Sequence, residues 1–470
     1  MGSVRSVHFV GIGGTGMCGI AELLVRDGFT VTGSDLVRSE ATDRLAALGA
    51  TIRVGHAPEA VVGADVVVTS SAVDGDNTEL VHARDLGLPV VARAEMLAEL
   101  MRHRHGIAVA GTHGKTTTAS LIASVFRAGE LDPTYVIGAP VPSTPERSAL
   151  NPAESNAGLG RGRHLIAEAD ESDASFLHLS PVIAVVTNID RDHMDAYAQN
   201  FDRLLDAFVA FGQRLPFYGT LVVCADDPHA VAIPTRIDRA ARSYGFNAAA
   251  DFRAVDLEGG EGSWRFTALR PSGPALRVSL PLPGRHNVQN AMAAIAVAAE
   301  EGIADEAILD GLRRFKGVGR RFETADCIVA GNRVTVVDDY GHHPTEVARV
   351  VETARELWPD RRLVMAYQPH RYTRTRDLHD EFVAVLGDVD RLLLLDVYAA
   401  GEEPIEGADS RTLARDVAAR GNDQPLVAPD PGEATEKLRA EIADDDVVLV
   451  QGAGDVSLIA YALREEPWSA

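Results

Sequence analysis

Two rhythms of apolar residues run through the first hundred positions. Short, nearly continuous apolar runs, "SVHFVGI", "FTVTGSD" and "ADVVVTSSAV", have the length of buried strands. Between them, Met17–Asp27 and Ser39–Leu48 carry apolar residues at helical spacing. The order strand, helix, strand, helix, strand predicts a parallel sheet with helices packed on it. A second unit opens at "GIAVAGTHGKTTTASLIASVF" as strand, tight glycine turn and helix. Strands are expected at "RHLIAEAD", "PVIAVVTNID" and "GTLVVCADD", and helices at Phe201–Phe211 and Asn287–Glu301. Ala139–Arg163 is rich in Pro, Ser, Asn and Gly and reads as a long surface loop. Asp251–Leu282 reads as a small antiparallel patch. A third unit follows "FKGVGRRFE", with strand-to-loop transitions at "NRVTVVDDYGHHPTEV", "RRLVMAYQPH", "DRLLLLDVY" and "DDVVLVQGAGD". The pattern predicts an α/β protein of three domains, 1–104, 105–318 and 319–470. The outer two are Rossmann-like and the central one is of P-loop type.

Bulk properties narrow the class. A chain of 470 residues is too long for one ordinary core. At 46% hydrophobic and 24% charged it has the composition of a soluble globular protein. No apolar run reaches the ~18–20 residues of a membrane span. The N-terminus enters a glycine loop too early to hold a signal peptide, so a cytoplasmic protein without a membrane partner is expected. A net charge of −23 argues against nucleic acid. Cys18, Cys224 and Cys327 lie far apart and suggest neither a disulfide framework nor a zinc site.

Candidate chemistry sits where strand-like runs meet loops. Gly11–Gly16, within "VGIGGTGMCGIAE", fits G-x-G-x-x-G after a strand and before a helix, as a dinucleotide loop would. In "GTHGKTTT", Gly111, Thr112, His113, Gly114, Lys115, Thr116 and Thr117 form a phosphate-type turn. Lys115 reaches terminal phosphates there, and the Thr116 hydroxyl suits Mg²⁺. Val109 stands where the longer P-loop pattern has its first glycine. "EADESDASF" sets four carboxylates in six residues after an apolar strand; Glu171 is the first choice for the metal and Asp170 the second. In "TNIDRDHMD", His193 is a candidate ligand for a second metal, and a capped turn is the alternative. Asn287 and Asn290 in "GRHNVQNAMAA" lie one helical turn apart and can face a ligand or simply cap and pack. Arg320 and Arg321 stand at an apparent domain joint. Arg371, Arg374 and Arg376 follow a strand of the third unit, where carboxylate or phosphate recognition, or surface ion pairing, would place them.

Taken in order, "VGIGGTGMCGIAE", "GTHGKTTT", "EADESDASF", "TNIDRDHMD", "GRHNVQNAMAA", "GVGRRFE", "DDYGHHPTEV" and "QPHRYTRTRD" resemble the Mur ligase family over nearly the whole chain. The resemblance implies ATP-dependent ligation of L-alanine to UDP-N-acetylmuramate through an acyl phosphate, with Mg²⁺. It implies Lys115, Glu171 and His193 in catalysis, and Thr116, Glu171 and His193 as metal ligands. Asn287 would touch the nucleotide, and Arg320 its phosphates on domain closure. Gly13, Gly14, Thr15 and Gly16 would hold the UDP pyrophosphate, with Asp35, Ser70 and Ser71 completing that pocket. His342, Arg371 and Arg374 would lie near the alanine and substrate carboxylates. A monomer or a homodimer is expected.

Two departures bear on the assignment. Cys18 stands where many relatives carry serine, a possible thiol-reactive point. The helix Asn200–Phe211 has no lysine, whereas several later-acting family members place a carbamylated lysine there. The first-step ligase and a recycling ligase that adds a tripeptide both fit that absence. An NAD-dependent oxidoreductase and a non-catalytic nucleotide-binding regulator are the rivals from other classes.

Overall fold

The computed structural model describes residues 4–70, 72–142, 154–260, 262–421 and 423–464. It has three α/β domains, each built on one sheet. In the first, the strands run Thr51–Val54, Thr30–Asp35, Ser6–Val10, Val66–Thr69, Val90–Ala92 across the sheet, all parallel. Val7, Phe9 and Val10 of the central strand are fully buried, as expected of a strand covered on both faces. Ser6–Val10 lies between strands that the chain reaches by opposite crossovers, so a crevice opens beyond Val10 and Thr69. Open parallel sheets bind ligands at such a switch point.

The central sheet has ten strands. Its middle is His164–Glu168, His105–Ala110, Ile183–Val186 and Thr220–Cys224, paired in parallel. The carboxyl ends of the first three deliver the acidic motif, the "GTHGKTTT" turn and Thr187–Asp190 to one edge. The third sheet runs Glu323–Val329, Asn332–Asp339, Val447–Gln451, Leu363–Tyr367, Arg391–Leu395, Leu426–Ala428, with only the first pair antiparallel. The chain gathers into two compact units: residues 1–258, 264–281 and 287–318 form one, and residues 259–263, 282–286 and 319–470 the other. Among the described residues no helix is long and apolar enough to cross a membrane.

The expected strands and helices are present. The stretch 139–163 departs from expectation. Thr134–Pro142 and Glu154–Gly158 are strands paired antiparallel at the sheet's edge, and 143–153 lie outside the described residues. Pairing through a short or polar run such as "ESNAG" leaves no apolar rhythm to read. The same holds for the partly exposed edge strands Thr51–Val54 and Val90–Ala92. The patch expected at 251–282 contains the antiparallel pair Ser263–Leu269 and Leu276–Leu280, and it extends the central sheet rather than standing apart.

At the amino ends of the central strands, away from the turns, Glu301 meets two imidazoles. Its oxygens lie 2.7 Å from His105 Nε2 and 2.9 Å from His164 Nε2. Burial pushes the Glu301 carboxyl up, but the two histidines outweigh burial and hold it well below the usual range. A carboxyl whose native value is depressed contributes stability that is fully present above the ordinary glutamate value, near ~4.3. That stability is lost as pH falls through the native value. Glu301→Gln is therefore expected to cost about 2 kcal/mol at pH 7, hydrogen bonds to a charged group being worth that much. Denaturant unfolding should show the gap from the parent protein narrowing below about pH 4.

Candidate active site

The first glycine loop is shaped by the strand beside it. Gly11 has φ of 77°, and the N–H groups of Gly11 and Ile12 donate to the Ser34 carbonyl at 2.8 and 3.0 Å. Gly13 N–H donates to Asp35 Oδ2 at 2.8 Å. A Cβ on Gly13 would stand 2.9 Å from that oxygen, so glycine is needed for the approach. Asp35 thus orders the loop from below. Helix Thr15–Arg26 begins at Gly14 with no side-chain cap, leaving its amino end to an anion. Behind the loop, Ser34 Oγ donates to fully buried Glu79, which also accepts from Ala57 N–H. Burial pushes Glu79 up, and bonds from His8, Ser34 and Ala57 outweigh it and hold the carboxyl below its ordinary value. Ser70 is partly buried at the end of Val66–Thr69. Ser71 and the side chain of Thr15 lie outside the described residues. Cys18 is buried, and burial pushes its thiol up, which makes it a poor nucleophile.

The "GTHGKTTT" turn is held by the neighbouring strand end. Thr112 N–H donates to the Asn188 carbonyl at 3.1 Å, and His113 N–H to Asn188 Oδ1 at 2.8 Å. Thr187 Oγ1 donates to the His113 carbonyl at 2.6 Å. His113 Nε2 lies 3.1 Å from Asp190 Oδ2. Gly111 at φ 125° and Gly114 at φ 81° take conformations that side chains resist. A Cβ on Gly111 would also fall 2.1 Å from Thr187 Oγ1. Thr117 continues into helix Lys115–Ala128. The buried Thr118 hydroxyl donates to Asn290 Oδ1 at 3.2 Å, and Asn290 Nδ2 donates to Asn287 Oδ1 at 3.1 Å. The asparagine pair is thereby joined to the turn's helix, with Asn290 engaged in packing.

Lys115 folds back over its own turn. Nζ donates to the carbonyls of Gly111 and Thr112 at 2.6 and 3.1 Å and to Glu171 at 2.8 Å. Burial opposes the ammonium, but Glu171, Asp170 and Glu168 outweigh it and hold Lys115 above its ordinary value. Burial pushes Glu171 up to about 7 against the pull of Lys115. These directions compete. Three carboxylates around one amine make the protonated lysine the governing state. Tyr197 Oη donates to the Glu171 carbonyl at 2.5 Å and fixes that backbone.

Thr116 Oγ1 lies 3.1 Å from both oxygens of Glu168, the last residue of its strand. Sequence reading favoured Glu171 for the metal and passed over Glu168. The strand-end position of Glu168 was the available signal, since that is where a carboxylate faces the neighbouring turn. His193 sits at φ 53°, with Nε2 3.5 Å from Asp192 Oδ2. A histidine in that conformation is strained, as residues at working sites often are. Arg93, also not singled out, lies against Gly16 and places Nη2 3.3 Å from Asp170 Oδ2.

In the other unit, Arg320 takes φ 56°, donates from Nη2 to the Gly452 carbonyl at 2.8 Å and lies over the Tyr340 ring. Its Nε is 3.4 Å from Asp338. Arg321 also lies over the Tyr340 ring. His342 N–H donates to Glu346 at 2.9 Å, and its ring stands 5.4 Å from that of His370. Arg374 is buried and donates to the His370 carbonyl at 3.1 Å. His342 and Arg374 are thus brought together through His370. Arg371, at φ 72°, directs its guanidinium to Glu402, 3.5 Å away, and Arg376 pairs with the neighbouring Asp377.

Residues 6–105 match the Mur ligase family catalytic domain, 109–298 the Mur ligase middle domain, and 320–454 the Mur ligase glutamate ligase domain. The chain belongs to the Mur ligase family. Among solved structures, UDP-N-acetylmuramate–alanine ligase from Thermotoga maritima is similar at 26% identity, with 98% of each chain covered and a TM-score of 0.81. A murein peptide ligase from Psychrobacter arcticus shares the fold at 24% identity, 98% of each chain and a TM-score of 0.73. The UDP-N-acetylmuramate:L-alanyl-γ-D-glutamyl-meso-diaminopimelate ligase from Neisseria meningitides is 28% identical, over 68% of this chain and 100% of that one, with a TM-score of 0.60. The chain is an ATP-dependent ligase of this family, acting in peptidoglycan synthesis.

Proposed function

We propose that this protein joins L-alanine to UDP-N-acetylmuramate, forming ADP, phosphate and UDP-N-acetylmuramoyl-L-alanine. The observation that carries the reading is the cluster of Lys115, Thr116, Glu168 and Glu171 at the strand ends, in one compact unit with the first glycine loop. A cluster of that kind suits phosphoryl transfer onto a substrate whose diphosphate the first loop holds. Likeness to the Thermotoga alanine ligase along 98% of the chain supports L-alanine as acceptor.

A substrate carboxylate oxygen attacks the γ-phosphorus, and the bond to the ADP oxygen breaks with its electron pair leaving on ADP. Lys115 turns from Glu171 to the transferring phosphoryl group and offsets its charge. The amine of alanine then adds to the acyl carbon. Phosphate departs with the bonding pair, and the amine proton is lost. The hydroxyl of Thr116 and the carboxylate of Glu168 are the hard oxygen donors that Mg²⁺ prefers, and their shared side of the turn fits that ion. Glu171 and His193 remain candidates for the same task. Bound there, the metal would neutralise charge on the phosphate oxygens. His342 and Arg374 are the groups for the acceptor carboxylate, and Asp35 and Ser70 for the nucleotide portion.

The second reading is a recycling ligase that adds a tripeptide to the same sugar nucleotide, favoured by the 28% identity to the Neisseria enzyme. Phosphate release from ATP with Mg²⁺ and UDP-N-acetylmuramate, across L-alanine, glycine, L-serine and the tripeptide, separates the two. L-Alanine is expected to give the highest kcat/KM. Glycine and serine should trail by about 10–200-fold, the discrimination available to a small pocket. Release with the tripeptide alone would transfer the assignment to the recycling reaction.

A further inference from the structure

The third glycine of a G-x-G-x-x-G loop ordinarily lets the helix pack closely on its sheet. Here it admits a cation. A Cβ on Gly16 would stand 2.1 Å from Arg93 Nη1 and 3.0 Å from its Cδ and Cζ. The guanidinium therefore lies on the first turn of Thr15–Arg26, at the positive end of that helix. A cation gains nothing from that end of a helix unless an anion joins them.

Arg93 opens helix Arg93–Met101 directly after the strand Val90–Ala92, and Ala92 N–H donates to Glu95 Oε2 at 2.7 Å. Its backbone is fixed while its side chain has a choice of partners. The partner it takes is Asp170, through Nη2 to Oδ2 at 3.3 Å, with the two side chains 28% and 39% exposed. So open a pair contributes little to stability and yields readily to a better acceptor. A diphosphate offers several oxygens to a planar fork of donors and is such an acceptor. Asp170 is also among the carboxylates acting on Lys115, so it stands between the arginine of one loop and the lysine of the other.

We propose that Arg93 is a binding residue for the diphosphate of the substrate, parked on Asp170 until that group arrives. The proposal rests on the reading of Gly13–Gly16 as the diphosphate loop. Once the arginine has moved, the charge of Asp170 is left wholly to the Lys115 cluster. The arrival of the sugar nucleotide is thereby communicated to the ATP turn.

Titration calorimetry on the full chain without ATP tests this, with UDP, uridine and ADP as probes. Arg93→Ala is expected to weaken UDP binding by about 10–100-fold, the loss of hydrogen bonds to a charged partner. Uridine binding should be unchanged, and an unchanged unfolding midpoint reports an intact fold. Arg93→Lys keeps the charge without the fork and should fall between. Asp170→Asn removes the competitor and should tighten UDP binding severalfold, a gain that a merely structural Arg93–Asp170 bridge would not produce. UDP affinity unchanged in Arg93→Ala and Arg93→Lys overturns the proposal, as does an Asp170→Asn protein weakened like Arg93→Ala. If the parent protein binds ADP but not UDP, the reading of the first loop falls and the role of Arg93 with it.

Discussion

Replacing Lys115 by methionine is expected to lower ATP-dependent phosphate release about a thousandfold, the scale of losing one preorganised charge at a phosphoryl-transfer site. Its effect on stability should be as informative. Lys115 Nζ lies 2.8 Å from Glu171, whose side chain is only 2% exposed. Removing the lysine strands a buried carboxylate, which costs about 3–5 kcal/mol when one partner of a buried pair is deleted. Part of that penalty is relieved because Glu171, already pushed up to about 7, takes a proton. The double variant Lys115→Met/Glu171→Gln should recover most of the stability and none of the activity. Denaturant unfolding and phosphate release measured on the same samples separate the two roles. Recovered activity in the double variant would make Lys115 a structural residue and sink the proposed chemistry.

Glu168→Gln is the second substitution with a large expected effect, a fall in turnover of about 100-fold with a higher Mg²⁺ requirement. Glutamine keeps the volume and one acceptor oxygen. The 2.7 Å bond that Glu168 accepts from Gly138 N–H therefore survives, and the strand Thr134–Pro142 should stay in place. What is lost is the charge facing Thr116 Oγ1. A magnesium titration of the rate decides between carboxylates. Normal Mg²⁺ dependence in Glu168→Gln, with the loss appearing in Glu171→Gln, would return the metal role to Glu171.

Much of this arrangement was legible in the chain itself. Buried parallel strands such as Ile183–Val186 must be apolar throughout, so they stand out against the helices around them. Glycine loops announce themselves because Gly11, Gly111 and Gly114 occupy backbone conformations that a Cβ penalises. Some edge strands were not legible, because their short or polar runs carry no apolar rhythm, as in Glu154–Gly158. The choice among Glu168, Asp170 and Glu171 was not legible either. Carboxylates so close in sequence differ little by composition, and only the strand's end decides which faces Thr116 and which faces Lys115.

The sequence by itself determined the α/β class, the order of the loops and the identity of the groups that bear charge. Spacing and residue type set those, through local backbone preference and burial. The tertiary structure alone decided that Arg93 rests on Gly16 and Asp170, that Thr187 and Asn188 hold the "GTHGKTTT" turn, and that Asn290 locks onto Thr118. Each of those contacts joins residues between 74 and 172 positions apart, and Arg93 and Asp170 follow strands of different sheets. Such pairings arise when sheet topology brings distant strand ends to one edge, which no local pattern encodes.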